Sequence, residues 1–227
     1  MYLLIIGAPR SGTTLLASMI SAHSHVAMLI EDRSFGIKKL TGKQVLANKL
    51  CIPHQLEIKK RSDNISKVMK KFGMMSRHPT SKYNVQDYLK LKDLKILCIV
   101  RDGNDVMASI MKRGKKSKDI ALYRWSRALE IINELYLTNP DITAIVSYDD
   151  LVNEPEKVLK KISSFIDLEF ESGMLEGYKY NILYPGEKGI DKTKANKERA
   201  TSNGANGLID HKQMELYQKL LQAKISI

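Results

Sequence analysis

The chain has 227 residues, 43% of them hydrophobic, which is long enough for one α/β domain with a sizeable core and short for two. Its formal charge is +12, from 37 Lys and Arg against 25 Asp and Glu. Because the lysines are spread along the chain and not interleaved with aromatic residues, this charge indicates a solvated basic surface and does not favour nucleic-acid binding. We therefore expect a single domain over residues 1–227.

The sequence lacks the features of membrane-spanning proteins and of metal-binding proteins. No apolar run approaches the ~20 residues of a membrane span. A predicted strand begins almost at Met1, with no basic leader or small-residue cleavage site, so we expect a cytoplasmic protein. Cys51 and Cys98 are expected to be reduced, and neither they nor the five histidines have the spacing of metal ligands. No metal is predicted.

The first predicted elements are a strand, a loop and a helix within Leu3–Leu16. An apolar run leads into a loop bounded by Gly7 and Gly12, after which apolar residues recur at helical spacing. Backbone N–H groups of such a loop and of the first helical turn bind anions. The glycine spacing therefore predicts a phosphate-binding loop.

The polar residues of this loop differ from the nucleotide-binding pattern G-x-x-x-x-G-K-[ST], because Thr13 occupies the lysine position. Without that lysine, the magnesium chemistry of an ATPase or kinase is disfavoured. A guanidinium with three hydroxyls suits a compact tetrahedral anion bound without a metal. These groups belong to Arg10, Ser11, Thr13 and Thr14. An ordinary capped strand-to-helix turn is the alternative.

The next elements are a second strand and a region of little chemical information. Val26–Leu29 is a predicted strand, and Glu31-Asp32-Arg33 follows at the end where ligands collect in open α/β sheets. Residues 41–73 carry apolar residues at helical spacing and are predicted to form two helices. Gly73–Pro79 is predicted to be a short buried strand ending in a polar turn.

The clearest core strand is Lys95–Val100, a continuous apolar run typical of a parallel sheet covered on both faces. Arg101 follows it directly, and a helix is predicted next. Ser109 and Arg113 lie one turn apart on one face of that helix. The three side chains are therefore placed to converge on one phosphate, and a capped helix with surface arginines is the alternative.

Strands and helices alternate through the rest of the chain. An amphipathic helix is predicted over Asp119–Leu137, a strand over Thr143–Tyr148, a helix after Pro155 and a last helix near Asp210–Ala223. This alternation predicts an α/β fold with a central parallel sheet and helices on both faces. Residues 184–207 are basic and lack apolar periodicity, so they are predicted to form a long mobile loop.

The chain resembles the sulfotransferase family, which transfers a sulfonate from 3′-phosphoadenosine 5′-phosphosulfate to a hydroxyl or amine. The resemblance lies in four segments, and the last two are most similar to the protein-tyrosine sulfotransferase branch. It implies a P-loop NTPase-like fold and the phosphosulfate donor as co-substrate. The segments are Pro9–Thr14, Ile99–Gly103 with Ser109, Trp125–Ala128 and Ser147–Val152.

The resemblance also implies which residues bind the donor. The first loop would bind the 5′-phosphosulfate, with Arg10 covering both the sulfonate and the 5′-phosphate. Arg101 and Ser109 would bind the 3′-phosphate, Arg113 would join them as in the tyrosine branch, and Tyr148 would contact the nucleotide. The loop residues with this role are Arg10, Ser11, Gly12, Thr13 and Thr14.

Catalytic roles follow from the same resemblance. Sulfonate transfer needs a base for the acceptor proton and cations for the charge on the transferring group. Glu31 matches the position of the branch's catalytic glutamate, with Asp32 and His78 as alternative bases. Arg77 falls where the family has a lysine that stabilises the departing phosphate oxygen.

The sequence leaves the acceptor open. A carbohydrate, a lipid, a small metabolite or a peptide tyrosine would each supply a hydroxyl. Two other functions are also open: a nucleotide or small-molecule kinase, and a non-catalytic binder of nucleotide or anionic glycan.

Overall fold

The computed structural model describes residues 1–58, 83–179 and 209–225. At its centre lies a five-stranded sheet in the order β2-β3-β1-β4-β5, with every neighbouring pair parallel. The predicted α/β class is therefore confirmed. The strands are β1 (Tyr2–Gly7), β2 (Val26–Ile30), β3 (Val45–Cys51), β4 (Leu94–Val100) and β5 (Thr143–Ser147).

The helices of the described residues cover both faces of the sheet. They are α1 (Thr13–Ser21), α2 (Val85–Tyr88), α3 (Gly103–Gly114), α4 (Lys118–Thr138), α5 (Tyr148–Asn153), α6 (Pro155–Phe165) and α7 (His211–Gln222). Short 3₁₀ segments lie at Gly36–Lys39, Pro140–Ile142 and Ser172–Lys179.

Each face of the sheet carries its own hydrophobic core. In β4, Ile96 and Cys98 pack with the core of α3, α4 and α7, whereas Leu97 and Ile99 pack with the core of α1 and α6. Successive side chains of a strand point to opposite faces, so a strand that is buried on both sides must be apolar throughout. This explains the continuous apolar run in the sequence.

Local capping sets where the site-bearing helices begin. The Asp102 carboxylate accepts hydrogen bonds from the backbone N–H groups of Asn104 and Asp105, at 2.9 and 3.3 Å, and thereby starts α3. The Ser147 hydroxyl likewise accepts from the Asp150 N–H at the start of α5. Asp102 lies two residues after β4 and Ser147 is the last residue of β5, so each helix begins at the edge where the strands end.

The prediction of helices over residues 41–73 is wrong where the structure describes that region, because Val45–Cys51 is strand β3. Asn48 and Lys49 gave the segment a helix-like polar pattern, yet both side chains are buried with partners. The Asn48 amide donates to the Asp32 carbonyl at 2.8 Å, and Lys49 is ion-paired. Residues 59–73 of this prediction, the predicted strand at 73–79 and the basic loop at 184–207 lie outside the described residues.

The strand order determines where a ligand binds. β1 lies between β3 and β4, and all five strands are parallel, so the loops after β1, β2, β3 and β4 meet at one edge of the sheet. In open α/β sheets, ligands bind at this carboxyl edge, where the strand order reverses. The predicted loop after β1 is at the middle of that edge.

Candidate functional site

The loop after β1 is tightly wound around two glycines. A Cβ on Gly7 would lie 2.7 Å from the Ile99 carbonyl oxygen, so no larger residue fits there without a shift. Gly12 has φ of +98°, in the region that glycine tolerates best, and it begins α1 without a side-chain cap. The N–H groups of the first turn of α1 are therefore donors that an anion can satisfy.

The loop's arginine connects it to the helix after β4. The Arg10 Nε atom donates a hydrogen bond to the Ser109 hydroxyl at 3.0 Å, across 99 residues of sequence. Arg10 itself is exposed, with φ of +73°. The structure thus brings together two residues that the sequence predicted for opposite ends of the donor.

Arg101 is a buried cation at this edge. One of its terminal nitrogens donates to the Asp105 carboxylate at 3.1 Å, and the other donates to the Arg10 carbonyl at 3.4 Å. The guanidinium lies 4.2 Å from the centroid of the Tyr148 ring. Its Nε atom is buried without a hydrogen-bond partner among the described residues, which makes it a candidate donor to an anion.

Tyr148 packs directly against the loop. A Cβ on Gly12 would lie 2.4 Å from the Tyr148 Cδ2 atom, so the ring occupies the space beside this glycine. The predicted cluster of Arg10, Gly12, Arg101, Ser109 and Tyr148 is therefore one continuous group. Arg113 is exposed on the last turn of α3, and no contact between described residues joins it to this group.

The Glu31 carboxylate follows β2 and accepts hydrogen bonds from two side chains, one in β3 and one four residues after it. The Lys49 Nζ atom donates to Glu31 Oε1 at 2.7 Å, and the Gln55 amide donates to Oε2 at 2.6 Å. The backbone adds a third link, from the Glu31 N–H to the Lys49 carbonyl at 2.8 Å. Glu31 is thus a fixed carboxylate, oriented by groups on both of its oxygens.

The charges of this pair stabilise each other. Burial by itself would raise the pKa of Glu31, but the Lys49 charge and the hydrogen bonds from Lys49 and Gln55 hold that pKa below its ordinary value. Burial would likewise lower the pKa of Lys49, but the neighbouring Cys51 and Glu31 raise it. At neutral pH, the structure therefore holds an ammonium against a carboxylate that is able to accept a proton.

A cysteine links this pair to the phosphate-binding loop. The Cys51 thiol lies 3.6 Å from the Thr13 hydroxyl and 3.6 Å from the Lys49 Nζ atom. Its backbone N–H donates to Oε1 of the Gln55 side chain at 2.6 Å. A path of contacts therefore runs from Thr13, at the start of α1, through Cys51 and Lys49 to the Glu31 carboxylate.

The alternative base Asp32 is engaged in a turn. Its carboxylate accepts hydrogen bonds from the Ser34 hydroxyl and the Gly36 N–H, both at 2.6 Å. Burial opposes these bonds, but together with a backbone bond from Ser34 they hold the pKa of Asp32 below its ordinary value. The Glu31 carboxylate is likewise hydrogen-bonded on both oxygens, and what sets it apart from Asp32 is its connection through Lys49 and Cys51 to Thr13 at the start of α1. His78 and Arg77 lie outside the described residues, so their roles stay predictions.

Lys49 is the residue that the sequence analysis missed. It lies in the segment predicted to be helical, although a lysine flanked by Asn48 and Leu50 within an otherwise apolar run is a signal in itself. A lysine is rarely fully buried unless it is paired. Such a residue in a strand therefore predicts an acidic partner nearby, and Glu31 is that partner.

The described residues contain no group of three His, Cys, Asp or Glu side chains arranged to bind a metal ion. None of their helices is long and apolar enough to cross a membrane.

Comparison with known proteins identifies the family. The family model of the sulfotransferase domain matches residues 2–222. The protein-tyrosine sulfotransferase of Drosophila melanogaster is 29% identical over 191 residues, which cover 74% of this chain and 38% of that protein. Protein-tyrosine sulfotransferase 1 of Danio rerio is 27% identical over 191 residues, covering 74% and 54%. The chain spans about half the length of the curated relatives it matches.

Solved structures share the fold at low sequence identity. The sulfotransferase domain from the curacin biosynthetic pathway superposes with a TM-score of 0.64 at 15% identity, over 99% of this chain and 98% of that one. A mouse sulfotransferase complexed with PAP has a TM-score of 0.53 at 15% identity, over 97% and 82%. These similarities confirm the predicted fold, and because the family model spans nearly all of the sequence, this chain belongs to the sulfotransferase family.

Proposed function

We propose that this chain transfers the sulfonate of 3′-phosphoadenosine 5′-phosphosulfate to a hydroxyl group of an acceptor. The observation that carries the proposal is the path of contacts from Thr13 through Cys51 and Lys49 to Glu31, which connects an accessible carboxylate to an anion-binding loop. Arg10 and Arg101 supply cations on the other side of the same loop. Family membership supports the same donor.

Each group has a distinct task in this proposal. Glu31 accepts the proton of the acceptor hydroxyl as the acceptor oxygen bonds to sulfur. The bond between sulfur and the phosphate oxygen breaks, and adenosine 3′,5′-bisphosphate leaves. Arg10 and the N–H groups at the start of α1 stabilise negative charge on the sulfonate and the 5′-phosphate. Lys49 keeps Glu31 ionised and oriented.

The acceptor hydroxyl that we propose to test first is a tyrosine side chain. The support is that the curated relatives are named protein-tyrosine sulfotransferases and that they match three quarters of this chain. Carbohydrate, lipid and small-metabolite hydroxyls remain the alternatives from the sequence. A location in the cytoplasm and independence from metal ions stay predictions, to be tested by cell fractionation and by assay in a chelator.

The decisive experiment combines a binding measurement with a transfer assay. Calorimetry should detect saturable binding of adenosine 3′,5′-bisphosphate, and labelled phosphosulfate should label a tyrosine peptide or another member of an acceptor panel. Magnesium-dependent turnover of ATP in place of this transfer would favour a kinase. Binding that depends strongly on salt, without any transfer, would favour a non-catalytic binder.

A further inference from the structure

The backbone of Glu31 has a left-handed conformation. Its φ is +57°, a region that residues with a Cβ atom adopt only rarely. Glu31 directly follows β2, so this residue turns the chain out of the strand and sets the direction of its own carboxylate. Left-handed residues of this kind persist only where the surrounding structure holds them, and they cluster at functional sites. The contacts that hold the backbone at Glu31 therefore bear on the reaction.

Asn48 holds the main chain immediately after Glu31. Its side-chain nitrogen donates one hydrogen bond to the Asp32 carbonyl oxygen at 2.8 Å and another to the Tyr88 hydroxyl at 3.0 Å. On the preceding side, the Glu31 N–H donates to the Lys49 carbonyl oxygen at 2.8 Å. Two consecutive residues of β3 therefore hold the main chain just before and just after the Glu31 side chain.

The Asn48 amide is itself held in place by its surroundings. The Asn48 side chain is fully enclosed and Tyr88 is 1% exposed. The Tyr88 ring meets the Phe35 ring edge to face, with the two centroids 4.7 Å apart. Burial and ring packing restrict both side chains, and in a close-packed interior neither has room to turn. The position of the Asp32 carbonyl oxygen is therefore fixed relative to the sheet.

The other hydrogen bonds of this region have different tasks. The Asp32 carboxylate accepts from Ser34 and Gly36, and these bonds fix the shape of the turn from within. The bonds from Lys49 and Gln55 orient the Glu31 carboxylate itself.

The Asn48 bond does neither of these things. It ties the main chain of the turn to β3 and so holds the backbone from which the Glu31 side chain extends. If this bond is lost, the strained residue is free to relax toward a commoner conformation, and its carboxylate then points elsewhere.

We propose that Asn48 is a positioning residue for the base. By holding the Asp32 carbonyl oxygen, it keeps Glu31 in the left-handed conformation from which the carboxylate accepts the proton of the acceptor hydroxyl. The inference rests on the proposed function, because it requires Glu31 to be that base. Asn48 is fully enclosed and acts through Glu31, without touching the reactants. A displaced base lowers the rate because proton transfer requires hydrogen-bond reach to the acceptor.

The first test is Asn48→Leu, which removes the N–H donors and keeps the branched shape of the side chain. We expect kcat for transfer of labelled sulfonate to fall by roughly 10- to 100-fold. The KM for the phosphosulfate and the calorimetric affinity for the bisphosphate should stay within about twofold. Thr143→Val, which removes a buried hydroxyl from β5, is the matched control and should change none of these quantities. Equal losses of kcat in the two variants, or a kcat unchanged in Asn48→Leu, would overturn the proposal.

A double-mutant cycle with Glu31→Gln separates positioning of the base from a general effect on the fold. If Asn48 acts through the Glu31 carboxylate, Asn48→Leu should lower kcat by no more than about twofold in the Glu31→Gln background. A loss of the same size in both backgrounds would mean that Asn48 acts independently of the carboxylate, and would overturn the proposal. Full activity of Glu31→Gln would contradict the assignment of the base and this inference with it. Absence of transfer in the unsubstituted protein contradicts the proposed function instead.

Tyr88→Phe tests the same contact with a smaller change in packing. It removes the hydroxyl that accepts from Asn48 and keeps the ring against Phe35. We expect kcat to fall, but by less than in Asn48→Leu, because the Asp32 carbonyl oxygen keeps its donor. The Glu31→Gln background should again suppress the loss. If Asn48→Leu does not fold, this variant decides the question, and a kcat equal to that of the unsubstituted protein overturns the proposal.

Discussion

Arg101 and Lys49 are both buried cations near the carboxyl edge of the sheet, and they are paired in different ways. Arg101 pairs with Asp105, four residues further along the chain, and both side chains are buried, at 7% and 9% exposure. Lys49 pairs with Glu31, which is 18 residues away and directly follows the neighbouring strand β2. In this pair the lysine side chain is 1% exposed and the glutamate side chain is 34% exposed. One acid is enclosed and the other faces solvent.

The difference in exposure between the two carboxylates indicates which of them can orient a neighbouring cation and which can also react with an acceptor. An enclosed carboxylate such as Asp105 can orient an arginine but cannot meet an incoming acceptor. An accessible carboxylate such as Glu31 can accept a proton from one, while its buried lysine keeps it ionised. Accessibility of the acid, more than the presence of an ion pair, distinguishes the proposed catalytic pair Glu31–Lys49 from the donor-binding pair Arg101–Asp105.

The largest expected effect comes from removing the accessible carboxylate. Glu31→Gln should lower kcat by about 10²- to 10⁴-fold, the usual contribution of a general base, and leave the affinity for adenosine 3′,5′-bisphosphate within about twofold. Transfer of labelled sulfonate and calorimetry measure the two quantities. Asp105→Asn is the matched control, because it should weaken bisphosphate binding and lower kcat much less. Equal losses of kcat in the two variants would remove the distinction between the two pairs.

Removal of the enclosed cation should act on donor affinity. Arg101→Ala loses a charged donor, the ion pair with Asp105 and the contact with the Tyr148 ring. We expect bisphosphate binding to weaken by about 1.5–3 kcal/mol, or roughly 10- to 150-fold, as for hydrogen bonds to charged groups. Arg113→Ala, an exposed arginine on the following helix, serves as the comparison by calorimetry. If Arg113→Ala weakened bisphosphate binding as much as Arg101→Ala, the predicted binding role of Arg113 would be supported. The expectation that the buried arginine contributes more than the exposed one would then be wrong.

A smaller effect is expected from the loop backbone. Gly12→Ala forces a Cβ into the left-handed region and to within 2.4 Å of the Tyr148 ring, so the loop or the ring must shift. We expect a loss of about 1–2 kcal/mol in bisphosphate affinity, or roughly 5- to 30-fold.

Gly173→Ala is the matched control for this substitution, because the nearest atom to its Cβ would be the Ala22 carbonyl oxygen at 3.9 Å. Unchanged affinity in Gly12→Ala would mean that the loop tolerates a different conformation from the one described.

The smallest expected effect is a shift in the pH dependence of kcat/KM. Gln55 lowers the pKa of Glu31 by donating to its carboxylate, so in Gln55→Ala that pKa should rise and the acidic limb of kcat/KM should move to higher pH. The same change leaves the Cys51 N–H without its acceptor, at a cost of about 1–3 kcal/mol in stability. Gln44→Ala, at an exposed glutamine, is the control. An unmoved limb would assign it to a group other than Glu31.

The free energy of unfolding should also depend on the ionisation of Glu31. Because the folded-state pKa of Glu31 is depressed, its contribution to the free energy of unfolding is present above the unfolded pKa of about 4.3 and is lost as the pH falls through the folded pKa. Urea unfolding as a function of pH measures this contribution. It should be smaller in Gln55→Ala than in the unsubstituted protein.

The sequence by itself determined the features that depend on short segments. The loop from Gly7 to Thr14, the apolar β4 and the arginine that follows it each derive from fewer than ten consecutive residues. Steric limits on the backbone, burial on both faces of a strand and capping act over that range, so the pattern of residues is sufficient. The position of Glu31 after a strand was predicted in this way, and the α/β fold and the family followed from several such segments in succession along the chain.

The tertiary structure alone decided which side chains meet. β3 was mistaken for a helix because the polar Asn48 and Lys49 interrupt its apolar pattern, and their burial makes sense only once Asp32 and Glu31 lie beside them. The register that sets Ile30 opposite Lys49 is fixed by two strands, and the bond from Arg10 to Ser109 spans 99 residues. Contacts of this kind depend on how separate elements pack, and the spacing of residues within any one segment carries no information about them.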